Sequence, residues 1–427
     1  MLLWIGRSRQ QRGKWPMKRV LVLILAGGRG ERMGLLCHKR AKPVLPYAGK
    51  YRVIDFSLSN CLNSHLTDIA VVTDYQRTSV SCCLDNGLPL WQRAGVSLKM
   101  ISPRRGSYKG TADAVFQNLS YIEEKGADLI LILAGDHVYK MDYRPFLSYH
   151  TRKHADVTVA VTSTSIEQAH RFGIVTVDGR GQIVEFREKP RLPKSNLVSM
   201  GIYVFSREAL FRCLDEDSQN TSSRHDFGHS ILPRMVGRDR VCAYEFTDYW
   251  RDIGTVEGYY EASLELLQDR PLISINGRWP MVTSQGEPSP VKIFSPGVLD
   301  ASLAGSGCVI RGRVCNSVLS DNLVVAEGAF IKDSLILPGC FIGKHCVIDC
   351  CILDEGVNIG AGCYIGFGPG SLLGGSADLT LVGAGACIPP HTIIGRNCRI
   401  LPGTAPSDFI TSMVSSGSLI SPGKSRI

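Results

Sequence analysis

Fifteen cysteines occur in this chain, yet none stands in a C-x-x-C pair, and Cys82-Cys83 and Cys350-Cys351 are direct neighbours. Zinc sites and redox dithiols rest on such spacings, so neither a zinc nor a disulfide framework is expected. No uninterrupted apolar run approaches the roughly 20 residues needed to cross a bilayer, and the opening residues lack the apolar stretch of a secretory signal. The expectation is a cytoplasmic protein with no membrane partner. No G-K-[ST] follows the first strand, and Met33 stands where the third glycine of G-x-G-x-x-G would fall. A P-loop and a dinucleotide fingerprint are thereby excluded.

What is present is a chain of 427 residues, 44% hydrophobic and 20% charged, able to bury a large core and too long for one typical domain. The formal charge is +9, but Arg7, Arg9, Arg12 and Lys14 lie in an acid-free leader, so the excess elsewhere is modest. That balance suits phosphorylated small molecules; nucleic acid is not an expected partner. Residues 1–16 read as a disordered extension before Met17-Lys18-Arg19 and the first strong strand.

Residues 19–25 form an apolar run ending in Ala26-Gly27-Gly28, which predicts a strand buried on both faces. Residues 69–73, 129–133 and 157–162 predict further strands. Residues 111–124 predict a helix behind a Thr111 N-cap, with Ala112, Val115, Phe116, Leu119 and Ile122 on one face. This alternation implies a mainly parallel α/β sheet over residues 17–276.

Beyond about residue 270 the pattern changes. Val318, Val324, Phe330, Ile336, Ile342 and Ile348 recur every sixth position, and the beat resumes at Leu353, Ile359 and Ile365, then at Val382, Ile388, Ile394 and Ile400. This is a hexapeptide repeat, the mark of a parallel β-helix, expected over residues 297–427. Each aliphatic residue is expected to point inward. The residue two places earlier should be small and inward too: Ser334, Cys340, Cys346, Cys363, Ala386, Thr392 and Cys398. Buried small thiols thus explain the C-terminal cysteines. The Pro-rich stretch 277–296 reads as a linker, and Gly366–Gly375 as a loop projecting from the coil.

Several segments could carry chemistry. Gly27-Gly28-Arg29-Gly30-Glu31-Arg32 follows the first strand, where glycines let backbone N–H groups approach phosphate oxygens and arginines neutralise charge. Lys39-Arg40-Ala41-Lys42-Pro43 adds cations expected to converge on the same place. Asp136 ends the strand 129–133, at the sheet edge where open α/β folds bind ligands, and could hold a hard divalent cation or cap a helix. Asp252, in Trp250-Arg251-Asp252, could be a second metal ligand or a cap. Lys189, in Glu188-Lys189-Pro190, could grip an acceptor phosphate or be an ordinary strand-end lysine. Ser199 and Tyr203 could bond sugar hydroxyls or belong to the core.

Taken together these segments, with Arg52-Val53-Ile54-Asp55-Phe56, Tyr108-Lys109-Gly110-Thr111-Ala112-Asp113-Ala114, Gly135-Asp136-His137, Ser199-Met200-Gly201-Ile202-Tyr203 and Ser223-Arg224-His225-Asp226-Phe227-Gly228, closely resemble the bacterial ADP-glucose pyrophosphorylase family. The match runs in order from about residue 20 to 350. The resemblance implies a Rossmann-like catalytic domain followed by a left-handed parallel β-helix, and the Mg²⁺-dependent synthesis of ADP-glucose from ATP and glucose 1-phosphate for glycogen. It implies a homotetramer controlled by a phosphorylated-sugar or nucleotide effector. In that pattern Arg29, Lys42, Asp136 and Lys189 are catalytic, and Ala26, Gly27, Gly28, Arg29, Tyr108, Gly110 and Thr111 hold the nucleotide. Asp136 and Asp252 hold Mg²⁺. Glu188, Lys189, Ser199, Tyr203 and Asp226 surround glucose 1-phosphate, and Lys39 and Arg52 match effector positions.

The chain also departs from the pattern. Thr73-Asp74-Tyr75 replaces T-Q-Y, Ser107-Tyr108-Lys109 replaces W-Y-R, Pro46 replaces a histidine, and the likeness fades after about residue 366. Three rivals stand beside the main reading: a pyrophosphorylase using another base or sugar, a non-catalytic regulatory subunit, and an acyltransferase acting through the coil. Retained Arg29, Lys42, Asp136, Lys189 and Asp252 oppose the second. His345 and His391, isolated in the repeat, give the third little support.

Overall fold

In the computed structural model of the chain, residues 18–104, 106–274, 277, 279–283, 289–369 and 378–423 are described. The extension expected at 1–16 and part of the loop expected at 366–375 lie outside them. A nine-stranded sheet forms the first body. Val20–Leu25 is central, flanked in parallel by Asp68–Val72 and Leu129–Ala134, with Ser97–Ile101 parallel beyond Asp68–Val72. Alternate residues of these strands enter opposite cores, Leu21 and Leu23 on one face and Val22 and Ile24 on the other, so both faces demand apolar side chains.

The parallel expectation holds for those four strands. On the other flank the sheet turns antiparallel: Leu197–Ser206 pairs with Leu129–Ala134, with Val157–Ser163 and, at one position, with the hairpin of Gly173–Val177 and Ile183–Glu188. The helix expected over 111–124 is two, Thr111–Phe116 and Leu119–Lys125. Its apolar face is as read, with Ala112, Val115 and Ile122 fully buried. Thr111 is not the cap: Gly110 holds that position, and the Thr111 hydroxyl is committed elsewhere.

The second body is a three-sided parallel coil whose sheets contain six, seven and seven short strands. Through the middle of the coil successive rungs lie 17 residues apart, as in the Ser334 to Ser317 and Cys351 to Ser334 bonds. Its interior holds Leu319, Val325, Ile331, Ile336, Ile342, Ile348, Leu353, Ile359, Ile365, Val382, Ile388, Ile394 and Ile400. The expected register is therefore one residue early at Val318, Val324 and Phe330. Val324 and Phe330 are only half-buried, whereas Val325 and Ile331 are fully enclosed. Asn316 and Asp333 adopt left-handed backbone at the corners, where one side of the coil gives up a residue. All seven small positions are buried as expected.

Val318 misleads because one side of the coil is buried on both faces. Its outer residues Val318, Leu335, Ile352 and Leu381 pack with Val256, Tyr259 and Tyr260 of the helix Val256–Leu264. Tyr260 Oη donates to the Asp333 carbonyl at 2.6 Å, and Tyr259 Oη to the Pro46 carbonyl at 2.5 Å. Arg40, expected beside phosphates, instead turns away: its guanidinium bonds the buried Asp354 carboxylate of the coil and lies 3.6 Å from Glu355. Within 277–296 the described residues already include the first coil strand, Lys292–Ile293, while Trp279 and Val282 bond Asn60 and Ser59 of the sheet body.

Two outcomes follow from this packing. Ile331→Ala is expected to lower the unfolding free energy by about 2–5 kcal/mol and Val324→Ala by much less, as urea titration would show; equal losses would restore the original register. Asp55 is fully enclosed at the start of the helix Ile54–Asn63, and burial pushes its carboxyl up to about 6 despite the Arg52 N–H at 2.9 Å. Folded protein thus binds this proton more tightly than unfolded chain, so the contribution is full below about pH 4 and is lost as pH rises through about 6. The loss is at most roughly 3 kcal/mol. Asp55→Asn, which cannot ionise, is expected to gain in melting temperature relative to the natural chain between pH 4.5 and 7.5; a constant difference would contradict this.

Candidate active site

The parallel strands deliver their C-terminal ends to one edge of the sheet. The segments that follow them, Ala26–Gly28, Thr73-Asp74 and Gly135-Asp136, open a cleft of about 490 Å³ that adjoins a second hollow of about 470 Å³. Gly27 permits this: a Cβ there would lie 3.2 Å from the Asp74 backbone nitrogen, so two loops meet where a side chain would wedge them apart. Ala26 is buried and its N–H bonds the Val72 carbonyl at 2.8 Å. Arg29 lines only the outer hollow, whereas Arg32 and Lys42 line both.

At the floor sits Lys42, nearly buried, its Nζ 2.6 Å from Asp136 Oδ2 and 3.4 Å from Asp252 Oδ1. Asp252 reaches this point because Trp250–Asp252 pairs antiparallel with His137–Tyr139, placing Asp252 opposite His137. Burial disfavours an ammonium here, but the two carboxylates outweigh it and raise the Lys42 pKa. Burial likewise opposes ionisation of Asp136, and the Lys42 charge, helped by His137, overcomes it and holds the carboxyl at about 2. The His137 ring stands 3.6 Å from Asp136 Oδ1 and 3.8 Å from Asp252 Oδ1 through Nε2. Trp250 Nε1 donates to His137 Nδ1 at 3.4 Å, which turns Nε2 toward the carboxylates.

Two lobes flank this floor. The first contains Leu25, Val72, Asp74, Tyr108, Gly110, Thr111 and Ala114. Asp74 Oδ2 accepts the Tyr108 N–H at 3.1 Å, fixing Tyr108 beside the loop that replaces T-Q-Y. Gly110 is required because a Cβ would come within 2.3 Å of the His225 carbonyl. Thr111 Oγ1 donates to Asp226 Oδ2 at 2.8 Å and accepts the Phe227 N–H at 3.0 Å, tying this lobe to the second.

The second lobe holds Glu188, Lys189, Ser199, Tyr203 and Asp226, with Arg171, Phe172 and Trp250. Glu188 Oε2 fits between Gly173 and Gly228, where added Cβ atoms would stand 2.7 and 2.4 Å away. Lys189 Nζ lies 2.9 Å from Glu188 Oε1, and its backbone is left-handed at φ 47° just before Pro190. Ser199 Oγ accepts the Gly201 N–H at 3.2 Å. Tyr203 is buried, which raises its pKa, and its ring packs 5.6 Å from that of Phe227.

Every expected catalytic and substrate residue therefore borders the cleft or the adjoining hollow. Lys39, which is exposed, and Arg52, which is half-buried, line neither, and Arg40 faces the coil. The cleft also gathers Asp74, His137, Arg171, Phe172 and Trp250, to which the sequence motifs give no role. The strand-end rule that found Asp136 also reaches Asp74 and His137. For Arg171 the sequence carries no signal, since only the hairpin brings it to the cleft.

The family description "Nucleotidyl transferase" matches residues 21–269, and "GlmU-like, C-terminal hexapeptide" matches residues 292–371. A glucose-1-phosphate adenylyltransferase of Thermomicrobium roseum is 42% identical over 424 residues, covering 95% of this chain and 98% of the relative. Those of Acetivibrio thermocellus and Thermotoga neapolitana are 40% and 39% identical, covering 92% and 95% of this chain and 95% and 99% of theirs. A cleft built at the strand ends around Lys42, Asp136 and Asp252, joined to a hexapeptide coil and matched nearly end to end, places this chain in the glucose-1-phosphate adenylyltransferase family.

Proposed function

We propose that the chain converts ATP and α-D-glucose 1-phosphate to ADP-glucose and pyrophosphate, the committed supply of glucosyl units for glycogen. The observation that carries the reading is the single ammonium of Lys42 held between Asp136 and Asp252, where the two lobes meet. The first lobe, with Gly27, Gly28, Tyr108, Gly110 and Thr111, takes the nucleotide; the second, with Glu188, Lys189, Ser199, Tyr203 and Asp226, takes the sugar phosphate.

Two carboxylates suit Mg²⁺, which takes one or two such ligands and completes its shell with water and substrate phosphates. Asp136 and Asp252 would hold the Mg²⁺, which would supply neutralisation of phosphate charge. The acceptor phosphate is already an anionic nucleophile, so no Ser-His pair is needed. Its oxygen bonds the α-phosphorus while the bond to the bridging oxygen breaks, and the electron pair leaves on pyrophosphate. What the protein supplies is alignment and charge: Arg29 and Lys42 against the triphosphate, Lys189 against the acceptor.

The remaining proposals concern setting and control. Lys39 and Arg52, which line neither hollow, are offered as an anionic-effector site in a homotetramer. Among the described residues no helix is long and apolar enough to cross a membrane.

Pyrophosphate release from glucose 1-phosphate with each of four nucleoside triphosphates is expected to be fastest with ATP and to stop on chelation of divalent metal. A faster rate with another nucleotide would reassign the base. Asp136→Asn is expected to lower kcat by at least about a hundredfold. Near-natural turnover in that variant would remove Asp136 from the mechanism.

A further inference from the structure

The cations that line the main cleft are not equally free. Lys42 is held by Asp136 and Asp252, and Lys189 Nζ is 2.9 Å from Glu188. Arg171 makes no ion pair among the described residues; its guanidinium lies 5.8 Å from the ring centre of Phe172. Its backbone, by contrast, is fixed. Arg171 N–H bonds the Gln168 carbonyl at 3.1 Å, and one residue on, the Phe172 carbonyl accepts the Lys189 N–H at 3.0 Å. Gly173 then pairs with Glu188 across the hairpin, and Phe172 packs 5.2 Å from Trp250. A half-buried arginine is thus anchored beside Lys189 at the sugar end of the cleft.

We infer that Arg171 is a second phosphate-binding residue for the acceptor, placing its planar fork on the dianionic phosphate that Lys189 meets as a point charge. The inference rests on the sugar-phosphate reading of the second lobe. One lysine already neutralised by Glu188 is a weak counterpart for two negative charges, whereas a guanidinium binds two phosphate oxygens at once and fixes their orientation. Orientation matters because only one acceptor oxygen can face the α-phosphorus. Selectivity follows as well: the site favours sugars whose anomeric oxygen carries a dianion over neutral sugars.

The test is steady-state kinetics of Arg171→Ala, Arg171→Lys and Lys189→Ala, with thermal melts to confirm folding. Arg171→Ala is expected to raise the KM for glucose 1-phosphate roughly tenfold or more, as loss of a charged hydrogen bond does, with the KM for ATP within about twofold. Inorganic phosphate should compete less well with glucose 1-phosphate in the same variant. Arg171→Lys should recover part of the loss, because it keeps the charge without the fork. An unchanged KM for glucose 1-phosphate overturns the inference, and so does a parallel rise in both KM values with a lowered melting temperature. If Arg171→Ala is silent while Lys189→Ala raises that KM, this inference alone fails. If both are silent, the placement of the acceptor in the second lobe fails with it.

Discussion

One buried ammonium set against two carboxylates at the floor of the cleft governs the rest of this structure. Lys42 provides that cation, at 2.6 Å from Asp136 and 3.4 Å from Asp252. An ammonium so enclosed is costly to strip from water, and its pairing with two carboxylates offsets the cost. The arrangement also stores negative charge where a divalent metal and a triphosphate would have to meet.

The three groups come from three distant parts of the chain, so the rest of the fold serves to hold them in register. Asp136 rides on a strand buried on both faces. Asp252 reaches it through the short pairing of Trp250–Asp252 with His137–Tyr139. Lys42 is constrained from behind, because Arg40, two residues earlier, is bound to Asp354 in the coil, while the Ala41 N–H bonds Ser79 at 3.0 Å. The coil is therefore more than an appendage. Its outer apolar face and its buried Asp354 fix the segment that carries the central lysine, giving a physical route by which events at the coil could reach the cleft.

Much of this was legible in the residues. Alternating demands of two cores make Val20–Leu25 uniformly apolar, and the hexad beat with its small partners Cys340, Cys346 and Cys363 specifies a prism with a narrow interior. Asp136 is legible because strand ends at a sheet edge are where ligands bind, whereas Asp252 stands out only through the family resemblance. What stayed hidden shares one cause: dependence on long-range packing. Val318 looks like an interior position because it is apolar, yet it meets the helix Val256–Leu264 outside the coil. Arg40 looks like a phosphate ligand because it is cationic, yet its partner lies more than three hundred residues away. Thr111 has the chemistry of a cap, but its hydroxyl joins the two lobes through Asp226.

What occupies the space between Asp136 and Asp252 when nucleotide is bound decides how the cleft works. The direct measurement is a crystal structure with Mn²⁺ and a non-hydrolysable ATP analogue, read by anomalous scattering. The expected result is a metal peak within bonding distance of both carboxylates and of the analogue's phosphates, with Lys42 Nζ moved toward the nucleotide. A metal peak elsewhere, with Lys42 still seated on both carboxylates, would contradict it.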